Sequence, residues 1–317
     1  MVAKLCRWHN PVFSRILSVV ELVAGPPMFS GSIVALITPM HEDGSVDWQS
    51  YDRLIHWHLE QGTDGLVVLG TTAESPVITA DERVQMIKRA VELVSGKIPV
   101  IVGTGTNSTQ SSIERSQEAE QLGADALLVV TPYYNRPPQE GLYQHFKAVA
   151  ESTQLPIILY NVPARTGCDL LPETAARLAK ISNIVSIKEA TGSLERLDEY
   201  LALDCGLNLL SGDDGSCQAF MAKGGHGVIS VASNIAPQQM RDLCELNRFE
   251  PTQAGIIQAQ LAPLFDVLGL QSNPTAVKWA AHQMGLIPAG IRLPMIWLNE
   301  VYHQTVRDAM QQAGLID

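Results

Sequence analysis

The stretch NIVSIKEATG, residues Asn183–Gly192, contains a short apolar run that ends on a lysine. Its apolar residues Ile184, Val185 and Ile187 are nearly continuous rather than alternating, which predicts a strand buried on both faces. Strands of that kind are typical of parallel sheets that are covered by helices. Because lysines at strand ends are ordinarily solvated, the position of Lys188 alone does not indicate a function.

The same pattern recurs along the chain, so that eight apolar runs are present in all. The runs are Ser32–Pro39, Gly65–Thr71, Pro99–Gly105, Ala126–Pro132, Pro156–Pro163, Asn183–Ala190, Leu207–Asp213 and His226–Ser233. Between the runs, apolar residues recur at the spacing of a helix, for instance in Asp47–Gln61, Thr79–Ser95, Glu140–Thr153 and Leu171–Ile181. Alternation of buried strands with helices indicates βα units.

Eight βα units predict an α/β fold in which residues 28–236 form a closed (β/α)8 barrel, the TIM barrel. An open, doubly wound sheet is the alternative. The sequence pattern of residues 237–317 predicts a mostly helical C-terminal appendage. Breaks in it are expected at Pro263, Gly269, Pro274 and Pro288. Residues 1–27 are interpreted as an N-terminal extension outside the fold, because a second methionine, Met28, directly precedes the first strand.

Composition excludes several classes of function. The 317 residues carry a formal net charge of −11, which is the wrong sign for a protein that binds nucleic acid through its phosphates. No apolar run reaches the ~18 residues that a membrane span needs. The five cysteines include no CxxC pair, so we expect reduced thiols and a cytoplasmic protein.

The active site of a barrel of this kind lies at the carboxyl ends of its strands. Hydroxyl-bearing residues predominate at the ends of the eight runs, and no cluster of histidines and carboxylates suited to a metal is found there. We therefore expect neither a metal nor another cofactor.

Lys188 gains a second interpretation in that setting. If Val185 and Ile187 face the helices, alternation directs Ile184, Ser186 and Lys188 toward the barrel axis. Burial there disfavours the charged ammonium and favours the free amine that a Schiff-base nucleophile needs.

Tyr160 ends the preceding run, so we expect its ring beside Lys188, where it is a candidate acid–base. Thr71 and Thr72 end the second run and are either turn residues or ligand-binding hydroxyls. Each of these signals is weak alone, and their convergence on one end of one barrel gives them weight.

Five motifs carry a resemblance to a known family. They are GTTAES (Gly70–Ser75), TPYYNRP (Thr131–Pro137), YNVPARTG (Tyr160–Gly167), IKEATG (Ile187–Gly192) and GGHGVISV (Gly224–Val231). In this order and spacing they resemble the dihydrodipicolinate synthase family of pyruvate-dependent class I aldolases, a group that includes N-acetylneuraminate lyase. The resemblance covers the chain from Phe29 onward.

The resemblance implies a lyase that condenses pyruvate with L-aspartate 4-semialdehyde to give 4-hydroxy-tetrahydrodipicolinate, the first committed step of diaminopimelate and lysine biosynthesis. Lys188 would form a Schiff base with pyruvate. Tyr160 would transfer protons in a relay with Thr71 and Tyr134, and Tyr134 would reach in from the neighbouring subunit of a homotetramer built as a dimer of dimers.

The resemblance also implies substrate-binding residues. Thr72 would bind the pyruvate carboxylate, Arg165 would bind the carboxylate of the second substrate, and the backbone near Gly212 and Ile229 would line the pocket. Ala73 departs from the family, which usually has glycine there, and would be strained if the position required a positive φ. We expect the loop to tolerate it.

Many members of the family are inhibited by lysine at a site on the tight-dimer interface. The residues of that site retained here are Ser75, Asn107 and Tyr133. Ala80 and Arg83 stand where sensitive members have two histidines, and Ser111 stands where they have a glutamate. These replacements imply a remnant effector site with weak or absent inhibition by lysine.

Three alternatives stay open on the sequence. The nearest is a related pyruvate-dependent aldolase that acts on sialic acid or a 2-keto-3-deoxy sugar acid, although Arg165 favours a small carboxylate over a polyol. A phosphate-binding barrel isomerase is suggested only weakly by GTGTNS, Gly103–Ser108, which lacks the spacing of a phosphate loop. The third is a barrel that binds a ligand without catalysis.

Overall fold

The computed structural model describes residues 28–317, so the predicted extension 1–27 lies outside the described residues. Eight parallel strands form a closed barrel in which each strand pairs with its neighbours in sequence and the eighth pairs with the first. The strands are β1 Gly31–Ala35, β2 Gly65–Val68, β3 Val100–Gly103, β4 Ala126–Val130, β5 Ile157–Asn161, β6 Ile184–Glu189, β7 Asn208–Ser211 and β8 Gly227–Ser230. The prediction of a (β/α)8 barrel is confirmed.

Helices follow the strands and continue after the barrel. Those between strands are α1 Trp48–Glu60, α2 Ala80–Val94, α3 Thr109–Gln121, α4 Gln139–Glu151, α5 Pro163–Thr166, α6 Pro172–Leu178, α7 Leu194–Leu203 and α8 Cys217–Ala222. The C-terminal helices are α9 Pro237–Phe249, α10 Pro251–Leu268, α11 Thr275–Gln283 and α12 His303–Gln312. Within residues 28–317, no helix combines the length and the apolar character needed to cross a membrane.

The observed strands are shorter than the apolar runs that predicted them. The run Ser32–Pro39, for example, contains β1 only as far as Ala35, yet Leu36 and Ile37 beyond it are fully buried. Apolar residues thus continue past the last paired residue because the loops after the strands fold over the core. An apolar run in the sequence indicates buried residues, and the buried residues extend further along the chain than the residues paired in a strand.

Two apolar layers give the barrel its core. One lies inside the barrel and includes Ile33, Val67, Ile101 and Leu210, while the other lies between the strands and the surrounding helices. Strands buried on both faces explain why their apolar residues are continuous in the sequence.

The start of β6 departs from simple alternation. The β5–β6 register shifts there, since Ile157 pairs with Ile184 but the next residue of β5 pairs with Ser186. The extra residue, Val185, packs on the interior cluster and Ile184 packs on the outer one. The predicted directions of Ile184 and Val185 were therefore wrong, because a bulge reverses the alternation before Ser186. Beyond the bulge, Ile187 faces the helices and Lys188 faces the interior, as expected.

Helix ends follow the local sequence, with one exception. Asp47 caps α1 and Thr79 caps α2, where Thr79 and Glu82 form the reciprocal bonds of a capping box. The expected break at Pro263 was wrong, because Pro263 lies inside α10. Proline removes one backbone hydrogen bond, and the packing of α10 against α9 and α12 keeps the helix continuous around it.

Candidate active site

A cavity of about 250 Å³ opens at the carboxyl ends of the strands. Its walls come from both the barrel and the C-terminal region. The predicted site residues that line it are Thr71, Thr72, Tyr160, Arg165, Lys188 and Gly212, and they are joined there by Asp213, Val231 and Asn273. Residues far apart in the sequence thus meet at the end of the barrel where the chemistry was expected.

Lys188 reaches this cavity from the carboxyl end of β6 and is only 5% exposed. It pairs across the sheet with Tyr160 of β5, so both side chains point the same way, and its Nζ lies 4.4 Å from the centre of the Tyr160 ring. The lysines that pair with carboxylates within residues 28–317 are Lys147, Lys223 and Lys278. Lys188 is thus a buried amine beside a phenol and has no counter-ion in the part of the chain that the structure describes, an arrangement suited to nucleophilic attack on a carbonyl.

The opposite face of these strands carries a polar network that holds them in place. Asn161 donates to Glu189 Oε2 over 3.1 Å and to Asp169 Oδ1 over 2.8 Å. Burial raises the pKa of Glu189, whose other oxygen accepts from the backbone N–H of Thr191. Arg196 pairs with both oxygens of Asp169. Because Asn161 and Glu189 directly follow Tyr160 and Lys188, this network fixes the strand ends that present the two reactive groups.

Gly212 leaves room for the Lys188 side chain. A Cβ at position 212 would lie 2.9 Å from Lys188 Cε and 2.6 Å from Ala190 Cβ. Its backbone N–H donates to the carbonyl of Glu189 over 2.7 Å, so the loop after β7 lies directly against the end of β6. Gly212 lines the cavity, and its predicted part in substrate binding stays a prediction to which the close approach gives a physical basis.

A tight turn, Thr71–Ala73, forms the opposite wall of the cavity. Ala73 is fully buried and has no positive φ; the residues with left-handed backbone in this loop are Leu69 and Glu74. The expectation that the loop tolerates alanine is confirmed, because the position does not need glycine's conformational freedom.

Asn273 received no role from the sequence, yet it lines the cavity. Its Nδ2 donates to Thr72 Oγ1 over 2.9 Å, and its Oδ1 is buried without a hydrogen-bond partner among residues 28–317. The side chain can therefore accept a hydrogen bond from a bound ligand. The contact with Thr72 joins residues 201 positions apart, and no local pattern in the sequence could have indicated it.

A second cavity, of about 330 Å³, adjoins the first and shares Thr71, Val162 and Arg165 with it. Ser75 and Tyr133, two of the predicted effector-site residues, line this second cavity together with Arg115. The third, Asn107, lies outside its lining and accepts a hydrogen bond at its carbonyl from Asn135. Arg165 therefore stands between the two cavities.

Two predicted site residues lie away from the Lys188 cavity within one chain. Tyr134 is 89% exposed, with a φ of 75° and its backbone N–H bonded to the carbonyl of Thr166. Ile229 packs in the barrel interior with Leu210 and does not line the cavity, where Val231 does. Their roles stay predictions.

Arg83 is buried on α2, and its guanidinium lies 3.8 Å from Glu118 Oε2. Burial, together with the positive charge of Arg115, lowers the pKa of Arg83 to about 10. Two guanidinium groups thus lie in the region that the resemblance assigns to an effector ammonium.

Comparison with known proteins agrees with this geometry. The model of the Dihydrodipicolinate synthetase family matches residues 28–313. A 4-hydroxy-tetrahydrodipicolinate synthase of Coxiella burnetii is 53% identical over 296 residues, which cover 91% of this chain and 99% of that protein. The chain belongs to the dihydrodipicolinate synthetase family.

Solved structures of the family share the fold closely. The chloride-inhibited dihydrodipicolinate synthase of Acinetobacter baumannii, complexed with pyruvate, is 49% identical with a TM-score of 0.89 and covers 90% of this chain and 99% of its own. The enzyme of Thermotoga maritima has a TM-score of 0.89 at 43% identity and covers 91% of this chain and 100% of its own. Family membership therefore rests on both sequence and architecture.

We expect Gly212→Ala to block the Lys188 amine while the barrel stays folded. The new methyl group would fall within 2.9 Å of Lys188 Cε, which real contacts do not allow. The measurement is the mass of the protein after incubation with pyruvate, the molecule in the Acinetobacter complex, and reduction with borohydride. Gly215→Ala is the matched control, because its Cβ would lie 3.6 Å from the nearest side chain, Asp213. Equal trapping in the two folded variants would contradict the steric role of Gly212.

Proposed function

We propose that this chain condenses pyruvate with L-aspartate 4-semialdehyde through a Schiff base on Lys188 and releases 4-hydroxy-tetrahydrodipicolinate. The observation that carries the proposal is the buried amine of Lys188 beside the Tyr160 ring. Family membership supports the choice of substrates, since the Coxiella relative bears the name of this synthase and the Acinetobacter structure holds pyruvate.

The chemistry follows from an amine held in a small pocket. Lys188 Nζ attacks the ketone carbon of pyruvate, and loss of water gives an iminium. The iminium nitrogen withdraws electrons from the methyl carbon, which loses a proton and becomes an enamine. The enamine carbon attacks the aldehyde carbon of the second substrate. The amino group of that substrate then closes on the iminium carbon and displaces Lys188.

Protons move at each of these steps, and the Tyr160 ring lies 4.4 Å from Lys188 Nζ. In the proposed relay, its phenol gives a proton to the leaving water and later recovers one from the methyl carbon. Thr71 lines the same cavity and extends the relay. Tyr134 completes it from a neighbouring subunit, a role supported by its 89% exposure at the rim.

Carboxylate recognition is divided between two walls of the cavity. We assign the pyruvate carboxylate to Thr72 and the adjoining backbone of the Thr71–Ala73 turn. Arg165, on α5, is assigned to the carboxylate of the aldehyde substrate, because a guanidinium binds carboxylates with two hydrogen bonds. The backbone near Gly212 and Ile229 is assigned to the pocket wall, which the chain after Ile229 reaches at Val231.

The assembly and location belong to the same proposal. A homotetramer is supported by the need for Tyr134 to meet a site that its own chain does not bring it to. A cytoplasmic location is supported by Cys168, Cys205, Cys217 and Cys244, all of which are free thiols.

The alternative, cleavage of sialic acid or a 2-keto-3-deoxy sugar acid, uses the same Schiff base. It fits the aldehyde-binding side less well, because a polyol calls for several neutral hydrogen-bonding groups where Arg165 stands. A phosphate-binding isomerase and a non-catalytic barrel give no reason for a buried amine beside a phenol.

Lys188→Arg should abolish the borohydride-trapped pyruvate adduct, because a guanidinium keeps the positive charge but is not nucleophilic at neutral pH. Peptide mass spectrometry of the trapped wild-type protein should place the adduct on Lys188. Lys223→Arg, which keeps the charge of a lysine paired with Asp198, is the matched control, and the adduct should persist in it. An adduct on any other lysine of the wild-type protein would refute the mechanism.

Arg165→Ala should raise the KM for aspartate semialdehyde by about 10- to 100-fold, the worth of a charge-assisted hydrogen bond. The amount of borohydride-trapped pyruvate adduct should change little, because Arg165 is assigned to the second substrate only. Initial rates with each substrate varied in turn separate the two effects. Arg177→Ala, which removes a half-exposed arginine paired with Glu140, is the control for surface charge. Equal loss for both substrates would contradict the assignment.

Free lysine should inhibit weakly or not at all. Its ammonium groups would meet Arg83 and Arg115 and would lack the carboxylate that Ser111 replaces, which costs about 10- to 100-fold in affinity. A dose–response assay measures this directly, and Ser111→Glu should increase the sensitivity by returning a carboxylate. Half-inhibition at submillimolar lysine in the unaltered protein would overturn the expectation.

A further inference from the structure

The Thr71–Ala73 turn is held from outside the barrel. Glu74, the residue that ends the turn, pairs through Oε1 with Lys278 Nζ of α11 over 2.6 Å. Its Oε2 accepts a hydrogen bond from the backbone N–H of Arg292 over 3.0 Å. Both oxygens of Glu74 are thus bound by the C-terminal region, more than 200 positions away in the sequence.

This ion pair is removed from water. The side chain of Lys278 is 0% exposed and that of Glu74 is 1% exposed. The other ion pairs within residues 28–317 are less completely covered: Arg292 and Glu82 are 19% and 18% exposed, and Arg89 and Asp52 are 38% and 29% exposed. A buried carboxylate needs a partner of opposite charge and nearby donors, so Lys278 and Arg292 together determine where Glu74 can lie.

The backbone of this loop makes its position depend on such contacts. Leu69 before the turn and Glu74 after it both have left-handed backbone, with φ of 57° and 59°. Side chains rarely adopt this conformation unless the surroundings impose it. On the barrel side, Thr38 Oγ1 donates to the carbonyl of Ala73 over 2.8 Å. On the C-terminal side, Asn273 donates to Thr72 within the turn, and Lys278 and the Arg292 N–H hold Glu74 at its end. Lys278 supplies the charged bond among these.

We propose that Lys278 is a positioning residue for recognition of the pyruvate carboxylate: acting through Glu74, it fixes the turn that presents Thr71 and Thr72 to the cavity. The inference rests on the proposed function and deepens it, because it gives α11 a role in pyruvate affinity. Lys278 itself does not line the cavity around Lys188, so its effect passes through the loop and not through contact with substrate.

The experiment compares three variants with the wild-type protein. Glu74→Gln keeps the shape of the side chain and an acceptor for the Arg292 N–H. The double variant Glu74→Gln/Lys278→Met removes both charges, so that no unpaired charge is left buried. Arg89→Met breaks the Asp52 pair between α1 and α2 and controls for loss of an ion pair remote from the turn. Melting temperature, KM for each substrate, kcat and the pyruvate dependence of borohydride trapping are measured for all.

The double variant should fold and show a pyruvate KM raised by about 10- to 100-fold, since displacement of a binding group by about 1 Å has effects of that size. The pyruvate concentration for half-maximal trapping should rise in parallel, while the KM for aspartate semialdehyde stays within about twofold. Glu74→Gln should give a smaller shift in the same direction, and Arg89→Met should leave the pyruvate KM unchanged.

A purely structural role predicts another result. If Lys278 served stability alone, the neutral double variant would match the wild-type protein in pyruvate KM, and that result would overturn the inference. Equal increases in the KM of both substrates would overturn it as well. Failure of the wild-type protein to trap pyruvate on Lys188 would instead overturn the proposed function, so the two failures are distinguishable.

Discussion

The pairing of Tyr160 with Lys188 across β5 and β6 is the constraint on which the rest of the site depends. In a parallel sheet, paired residues point the same way, so this register alone puts a phenol beside an amine at the mouth of the barrel. The bulge at the start of β6 is part of that constraint. Without the extra residue, Val185, every later side chain of the strand would change faces, and Lys188 would point toward the helices.

Much of this was predictable from the sequence because it follows from periodicity and local order. Continuous apolar runs alternating with helices predicted the barrel, and the strand ends predicted where Lys188 and Tyr160 would meet. The bulge was not predictable, because Ile184 and Val185 are both apolar and either could face either layer. The continuation of α10 through Pro263 was missed for a related reason, since tertiary packing outweighed a local preference.

The residues that the sequence did not reveal share one property: their partners are distant in the chain. Asn273 contacts Thr72, and Lys278 contacts Glu74, across about two hundred residues in each case. Pattern and propensity describe neighbours in sequence and carry no information on such pairs. Tyr134 marks a further limit, because its proposed partner lies in another subunit. A motif match can name such residues, but a geometric reason for them requires the assembled fold.

The barrel and its C-terminal region thus contribute different things to the site. The barrel interior is apolar and holds Lys188 Nζ against the Tyr160 ring. The opposite wall, formed by the Thr71–Ala73 turn, has to present hydroxyls and backbone N–H groups at defined positions in the proposed function. Apolar contacts cannot set the direction of such groups.

A buried ion pair is a costly way to gain stability, since apolar residues of similar volume often serve as well or better. It does specify direction, because the carboxylate of Glu74 must meet Lys278 on one oxygen and Arg292 on the other. Directional bonding of that kind suits the role proposed for this loop, which is to hold a substrate carboxylate in one orientation.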